Sequence, residues 1–333
     1  MTQRHQPITR LGLGGTGLGD MYHATSEEAA QATVDAAWDA GIRYFDTAPH
    51  YGAGLSEHRF GQALRRRPRA EYSLSTKVGR LLLPAETGEI ADPFVGALPF
   101  RRVNDYSAAG ARRSIEDSLQ RMALSHIDFV YVHDLSPDRF SQQEYEHYYA
   151  IAAGPGGAFE GLVKLREEGV IKGWGLGVNM VDPCLRALRD SDPDIFLLAG
   201  RYTLMETTPL EQLFPLCEQR GAHVVLGGPF NSGFLAGGPN YDYAPAGEDK
   251  IAQRERLRQV AARHGVDLPA AALQFGLAHP VVAATIPGAS SAAHLRRNAA
   301  LLDIVIPPAF WEDLRAEGLV ARAAPLPAGK PAR

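Results

Sequence analysis

Asp46 and Tyr51 stand five positions apart in Phe45-Asp46-Thr47-Ala48-Pro49-His50-Tyr51, and both side chains can move protons. Further on, one apolar run finishes in Ser75-Thr76-Lys77, another in Tyr131-Val132-His133-Asp134, and a third in Gly177-Val178-Asn179. A lysine that ends an apolar strand needs a partner, because an unpaired buried ammonium is costly. Asp46, closing the preceding run, is the natural one. A phenol has an unperturbed pKa near 10, poorly matched to neutral pH, and a neighbouring ammonium stabilises the phenolate and lowers that value. The set therefore reads as a proton-transfer site. Lys77 tunes Tyr51, Asp46 holds Lys77, and His133 orients a substrate oxygen or shares its proton. Tyr51 then protonates a carbonyl as hydride arrives, or takes a hydroxyl proton as hydride leaves. Side chains do not donate hydride, so a nicotinamide must take part; no metal is called for. Singly, each residue has an ordinary use, as a turn former, a half-buried aromatic, a strand-end lysine or a core histidine. Their joint placement on strand ends carries the reading.

Such convergence needs strands that share one mouth. Short apolar runs at Thr9–Leu13, Ile42–Asp46, Tyr72–Lys77, Ile127–His133, Ile171–Val178, Asp194–Ala199, His223–Leu226 and Val281–Ile286 alternate with amphipathic helices. That pattern predicts an α/β fold, a single (β/α)8 TIM barrel over residues 1–322, with the active site at the C-terminal ends of its strands. Capping boxes are expected at Thr25 with Glu28 and at Thr208 with Glu211, with Pro209 in the first helical turn. Gly41, Gly169 and Gly221 stand where helices want a left-handed cap. Leu210, Leu213, Phe214 and Cys217 form an apolar helical stripe. Arg80–Tyr106 and Gly227–Asp249 lack periodicity and read as long active-site loops. The Pro/Ala/Gly-rich tail, 323–333, reads as disordered.

Composition excludes several classes. The chain has 333 residues, 45% of them hydrophobic, and a formal net charge of -4. No sustained basic stripe offers a nucleic-acid surface; Arg65-Arg66-Arg67 reads as the solvated end of a helix. The two cysteines, Cys184 and Cys217, are far apart, which fits a reducing, cytoplasmic setting. Neither a signal peptide nor a membrane span is visible. Gly12-Leu13-Gly14-Gly15-Thr16-Gly17 matches the G-x-G-x-x-G dinucleotide pattern. Leu18–Ala24 nonetheless separate it from any helix, and Asp39 sits late in a helix rather than at a strand end. These glycines, with Gly15 and Thr16 at their centre, instead let the first loop pass close to a bound ligand.

The segments FDTAPHYGAGLSE, STKVG, IDFVYVHD and GLGVN resemble the aldo-keto reductase superfamily, from about Thr9 to Val320. The resemblance implies that Asp46, Tyr51, Lys77 and His133 are the catalytic tetrad and that Asn179 meets the nicotinamide carboxamide. NDYSAAGARRSIEDSLQRM, LLAGRYTLME, GGPFNSGFLAGG and AAALQFGLAHP resemble the branch holding D-threo-aldose 1-dehydrogenase, L-fucose dehydrogenase and pyridoxal 4-dehydrogenase. Departures from the wider pattern bear on the cofactor. Ala199 stands where many relatives have Gln, and Gly227 where they have a Tyr that stacks on the nicotinamide. That implies a pocket closed instead by Gly228, Pro229, Phe230, Asn231 and Ser232. After the last strand, Gly288 and His294 stand where NADP-using relatives often carry Lys and Arg, near Ser290 and the adenine-contacting Asn298. A 2′-phosphate wants fixed cations, so NAD(P) is expected with NAD favoured, unless Arg296 or Arg297 substitutes.

The reaction implied is oxidation of a free aldose of the L-fucose, L-galactose or D-arabinose type at C1 to the lactone. Pyridoxal oxidation and general aldehyde or ketone reduction are the alternatives. The partner is thus a small sugar or aldehyde. Tyr22, His50, Asn104, Tyr106 and Asn231 are the polar residues expected at the mouth, with Trp174 and Phe230 as apolar wall. Two rivals belong to other classes. A Schiff-base lyase would need Lys77 unpaired, and a non-catalytic cofactor-binding partner protein would not need an intact tetrad. The sequence leaves the oligomeric state open.

Overall fold

The apolar runs are buried on both faces, as strands of a covered parallel sheet are, and the helices between them turn one apolar face inward. The computed structural model describes residues 4–85 and 93–329. Its strands, in chain order, are β1 Leu13–Gly14, β2 Tyr44–Asp46, β3 Ser73–Val78, β4 Arg80–Pro84, β5 Phe100–Asn104, β6 Phe129–His133, β7 Gly173–Val178, β8 Ile195–Ala199, β9 His223–Gly227, β10 Asn240–Tyr241, β11 Ala244–Pro245 and β12 Val282–Ile286. Eight form one parallel sheet in the order β1-β2-β3-β6-β7-β8-β9-β12. Parallel bridges Leu11–Thr285 and Gly14–Gly288 join its ends, giving the (β/α)8 barrel. Tyr44, Phe129, Tyr131, Ile195, Leu197, Val225, Ala284 and Ile286 pack inside the barrel, and a larger apolar layer lies between the strands and the outer helices. The two remaining strand pairs are antiparallel hairpins, β4–β5 and β10–β11, one in each long loop. Among the described residues no helix is long and apolar enough to cross a membrane.

Local expectations fared unevenly. Gly41, Gly169 and Gly221 do adopt positive φ, at 82°, 74° and 67°. Both cysteines are buried and free. The first strand starts later than expected because the Thr9 hydroxyl donates to the Leu11 carbonyl and accepts from the Arg43 amide, a bond a strand would make with its backbone. The helix Glu27–Asp39 is capped by Ser26, not Thr25: Ser26 Oγ accepts from the Ala29 amide, while the Thr25 amide donates to Asp20. Thr208 opens a short 3-10 turn with Pro209 in it, and its side chain bonds Glu206 rather than capping a helix. The tail is not free where it is described. Ala324 is buried and its carbonyl accepts from Arg315, and Leu326 packs on the core; residues 330–333 lie outside the described residues.

Candidate active site

Side chains on one strand alternate between faces, and register fixes which neighbours meet. Asp46 pairs with Ser75, Lys77 with Tyr131, and His133 with Gly177, so these positions point into the barrel near its C-terminal rim. Gly177 leaves the space that Lys77 needs: a Cβ there would stand 3.5 Å from Lys77 Cε and 3.2 Å from Tyr131 Cβ. Lys77 Nζ donates to Asp46 Oδ2 at 2.7 Å and to the Thr47 carbonyl at 2.9 Å. Both residues are fully buried. Below them runs a chain of hydroxyls absent from the sequence reading. Ser75 Oγ lies 2.7 Å from Asp46 Oδ1, Tyr44 Oη 3.0 Å from Ser75, and Tyr131 Oη 3.0 Å from Tyr44. Each hydroxyl has one proton and the ionised carboxylate can only accept, so all three protons point toward Asp46. Burial pushes the Asp46 carboxyl up, while Lys77 and Ser75 pull it down. Both its oxygens face donors, which is the arrangement of the charged form.

Tyr51 stands at the start of a short 3-10 segment, Tyr51–Gly54, in which Gly52, Ala53 and Gly54 have φ of 63°, 52° and 96°. The Gly52 carbonyl accepts from the Leu98 amide, so the β4–β5 loop pins this turn. Lys77 Nζ is 4.6 Å from the centre of the Tyr51 ring, and the His133 ring stands 5.7 Å away at 86°. Burial first, then the charges of Asp46 and Asp134, raise the Tyr51 phenol well above its ordinary value. The lowering expected from Lys77 is therefore not found: burial and the Asp46 charge dominate, and Tyr51 stands as the protonated phenol. His133 is held far below the usual imidazole range by burial and by Arg80 and Lys77, and so is neutral. Burial, Arg80 and Arg102 bring His50 down to about 3.

Two cavities meet over this cluster. One of 350 Å³ is lined by Tyr51, Lys77, His133, Tyr22, His50 and Asn179 among others. The second, 440 Å³, shares Thr16, Met21, Tyr22, Tyr51, Leu197, Ala199 and Tyr243 with it and reaches Asp46. It runs between the β1 loop, with Gly15 and Thr16, and Gly228, Pro229, Phe230 and Ser232, ending at Gly288, Ser290 and His294. At Gly228 and Gly288 a Cβ would meet no atom nearer than 3.7 and 3.6 Å, so both glycines face open cleft. The helix Ala292–Leu301 begins beside Ser290, and such a terminus favours an anion. Open glycines along its walls and a helix N-terminus at its far end are the features that a dinucleotide's phosphates call for. A larger cavity of 810 Å³ opens among Arg4, Arg166, Asp192, Asp194 and His223. It lies at the opposite, N-terminal end of the strands, contains none of the tetrad, and Arg4 and Arg166 in it are paired with Asp192 and Asp194.

Five expected site residues lie elsewhere. Trp174 is on the outer face of β7 against Phe159, because alternation sends Gly173, Gly175 and Gly177 to the other side. Tyr106 is buried behind the site, donating to the His133 carbonyl at 3.2 Å. Asn104 ends β5 in the hairpin, paired with Arg80, and lines neither cavity. Asn231, at φ 47°, turns back to donate to the Gly200 carbonyl. Asn298 donates to the Gly288 carbonyl from outside the cleft. Arg297 lines a separate cavity with Arg254 and Arg258. Residues missed by sequence reading include Met21, Phe94, Asp134, Arg139 and Tyr243, which line the site. Met21 and Phe94 meet through a bridge between distant loops, which leaves no local signal; Asp134 follows His133 directly and was in plain view.

The chain is similar to known proteins along nearly its whole length. The sequence model of the aldo/keto reductase family matches residues 10–317. Pyridoxal 4-dehydrogenase of Microbacterium luteolum is 40% identical over 94% of this chain and 95% of its own length. D-threo-aldose 1-dehydrogenase of a Pseudomonas species is 39% identical over the same shares. Among solved structures, a holo-form aldo-keto reductase of Bacillus halodurans superposes with a TM-score of 0.72 at 26% identity, covering 98% of both chains. One from Klebsiella pneumoniae, solved in complex with NADPH, gives 0.64 at 26% identity over 96% and 93%. With its barrel closed around Asp46, Lys77 and His133, and a family model spanning nearly its whole length, this chain belongs to the aldo/keto reductase family.

Proposed function

We propose that this chain is an NAD(P)-dependent dehydrogenase that oxidises a free aldose at C1 to the lactone, with Asp46, Tyr51, Lys77 and His133 as its catalytic groups. The observation that carries the reading is the buried Lys77–Asp46 pair beneath Tyr51, with a neutral histidine beside it and a polar cavity above. Asp46 pairs with Lys77 and fixes it, which leaves no unpaired amine of the kind a Schiff base requires. Gly15, Thr16, Gly228, Pro229, Phe230, Ser232, Gly288, Ser290 and His294 would hold the cofactor. A bound nicotinamide supplies the hydride acceptor for the C1 hydrogen. Tyr51 takes the proton of the anomeric hydroxyl after its own proton has left to solvent, so that one proton is released per hydride transferred, and His133, neutral and able to bond an oxygen, orients that hydroxyl. In the reverse direction the Tyr51 phenol gives its proton to the carbonyl oxygen.

Both similar dehydrogenases are named for substrates that close into cyclic hemiacetals, an aldose on its own chain and pyridoxal on its hydroxymethyl group. Pyridoxal is therefore the second reading. NAD is favoured over NADP because among the described residues no Lys or Arg lines the cofactor cleft, and a 2′-phosphate would lack a fixed cation from them. The test is a panel of L-fucose, L-galactose, D-arabinose, D-glucose and pyridoxal, each with NAD and NADP. One of the first three sugars should exceed D-glucose roughly tenfold in kcat/KM, with NAD the better cofactor. Pyridoxal oxidation without any sugar oxidation would replace this reading by the second.

A further inference from the structure

The substrate cavity contains an ion cluster that proton and hydride transfer leave unused. Asp134 follows His133, so strand alternation would send the two side chains to opposite faces. Instead Asp134 adopts the left-handed conformation, φ 52°, and lines the same cavity. Such a conformation is uncommon outside glycine and is kept where the surroundings impose it. One oxygen is fixed: Oδ2 accepts from Arg80 Nη2 at 3.0 Å and stands 3.7 Å from His133 Nε2. The other is open: Oδ1 has Arg139 Nε at 3.7 Å and accepts no hydrogen bond among the described residues. Arg139 lines the cavity too, with 41% of its side chain exposed. On the near wall, His50 Nδ1 is buried without a hydrogen-bond partner among the described residues.

These groups offer one acceptor and several donors within a cavity whose apolar wall includes Met21, Pro93, Phe94 and Val178. A carboxylate with a free oxygen beside a guanidinium suits hydroxyl groups, which both donate and accept. It suits an acidic substrate poorly, because Asp134 would repel it. We infer that Asp134 and Arg139, with His50 opposite, form a subsite that reads the hydroxyl groups next to the reacting carbon of a polyhydroxylated substrate. The substrate's hydroxyl donates to Asp134 Oδ1, and its neighbour accepts from Arg139. The inference rests on the aldose reading above and adds to it the residues that set specificity.

The experiment uses Asp134→Asn, which keeps an oxygen for Arg80, and Arg139→Gln at an exposed position where folding is safe. For each, kcat/KM is measured for the best aldose and for reduction of butyraldehyde, which has no hydroxyl. Inhibition of that reduction by the aldose and its lactone is measured as well. The aldose-to-butyraldehyde ratio should fall roughly thirtyfold in Asp134→Asn and roughly fivefold in Arg139→Gln, mainly through KM, with inhibition weakened in parallel. Equal loss on both substrates would mean that Asp134 acts through His133 and would overturn the subsite, as would no loss in either variant. Loss of pyridoxal oxidation as large as that of the aldose would assign Asp134 to a pyridinium N–H instead. If the wild type oxidises no aldose, the aldose reading fails by itself. The subsite then stands only if sugars and lactones inhibit butyraldehyde reduction by the wild type and not by Asp134→Asn.

Discussion

Tyr51 carries the sharpest consequence at the scale of single residues. Its phenol stands protonated above its ordinary value, so it is poised as an acid. Carbonyl reduction should therefore hold its rate toward neutral and mildly acid pH, whereas oxidation, which needs the proton passed on first, should rise with pH. Coincident pH profiles for the two directions would refute the assignment. Tyr51→Phe should remove turnover while leaving cofactor affinity within a few-fold, because the hydroxyl acts on the substrate's proton. Retention of more than roughly a tenth of turnover would be too much for a lost general acid–base group. Lys77→Met should be about as severe, since it also leaves Asp46 buried without its partner. Fluorescence titration with the cofactor alone separates these losses from misfolding.

At the scale of elements, β2, β3 and β6 hold the ion pair from below through Tyr44, Ser75 and Tyr131. The groups facing Asp46 are Lys77 and Ser75 from β3, Tyr44 from its own strand, Tyr131 from β6 and Tyr51 above. Removing the one hydroxyl that touches the carboxylate should raise the pH at which Asp46 protonates. Ser75→Ala should thus lose kcat roughly tenfold, the worth of a hydrogen bond to a charged group, and the acid limb of its profile should move to higher pH. Ser75→Thr, which keeps the hydroxyl, should restore both. An unmoved acid limb in Ser75→Ala would leave that serine as packing only.

For the whole molecule, burying neutral histidines makes stability depend on pH. His133 and His50 are both depressed below the ordinary value, His50 to about 3. An unfolded histidine titrates near 6.5, so below that pH the unfolded chain binds more protons than the folded one. Stability is then fully present above about 6.5 and falls as pH drops toward the folded values, by roughly 1.4 kcal/mol per pH unit for each histidine. The thermal midpoint should decline between about pH 6.5 and about pH 5. His50→Gln should make that decline shallower, and an equal slope in wild type and variant would show that His50 is not among its causes.

Sequence by itself determined what local chemistry controls. The alternation of apolar runs with amphipathic helices specifies a parallel barrel, and residues at the ends of β2, β3 and β6 then share its mouth whatever the loops do. That is why Asp46, Lys77 and His133 were legible, and why Gly41, Gly169 and Gly221 were recognisable as helix stops. Tertiary structure alone decided which side of a strand or loop a residue takes and what stands across from it. Trp174 read as apolar wall of the mouth but faces the helices, because the period of two gives the barrel interior to the glycines of β7. Asp134 went unread because its left-handed backbone breaks that same period. The hydroxyl chain below Asp46 exists only through the register of three strands separated in sequence. The phenol of Tyr51 followed the same rule: its proximity to Lys77 was foreseeable, but its protonation is set by burial and by the Asp46 charge, sums over neighbours that no stretch of sequence contains.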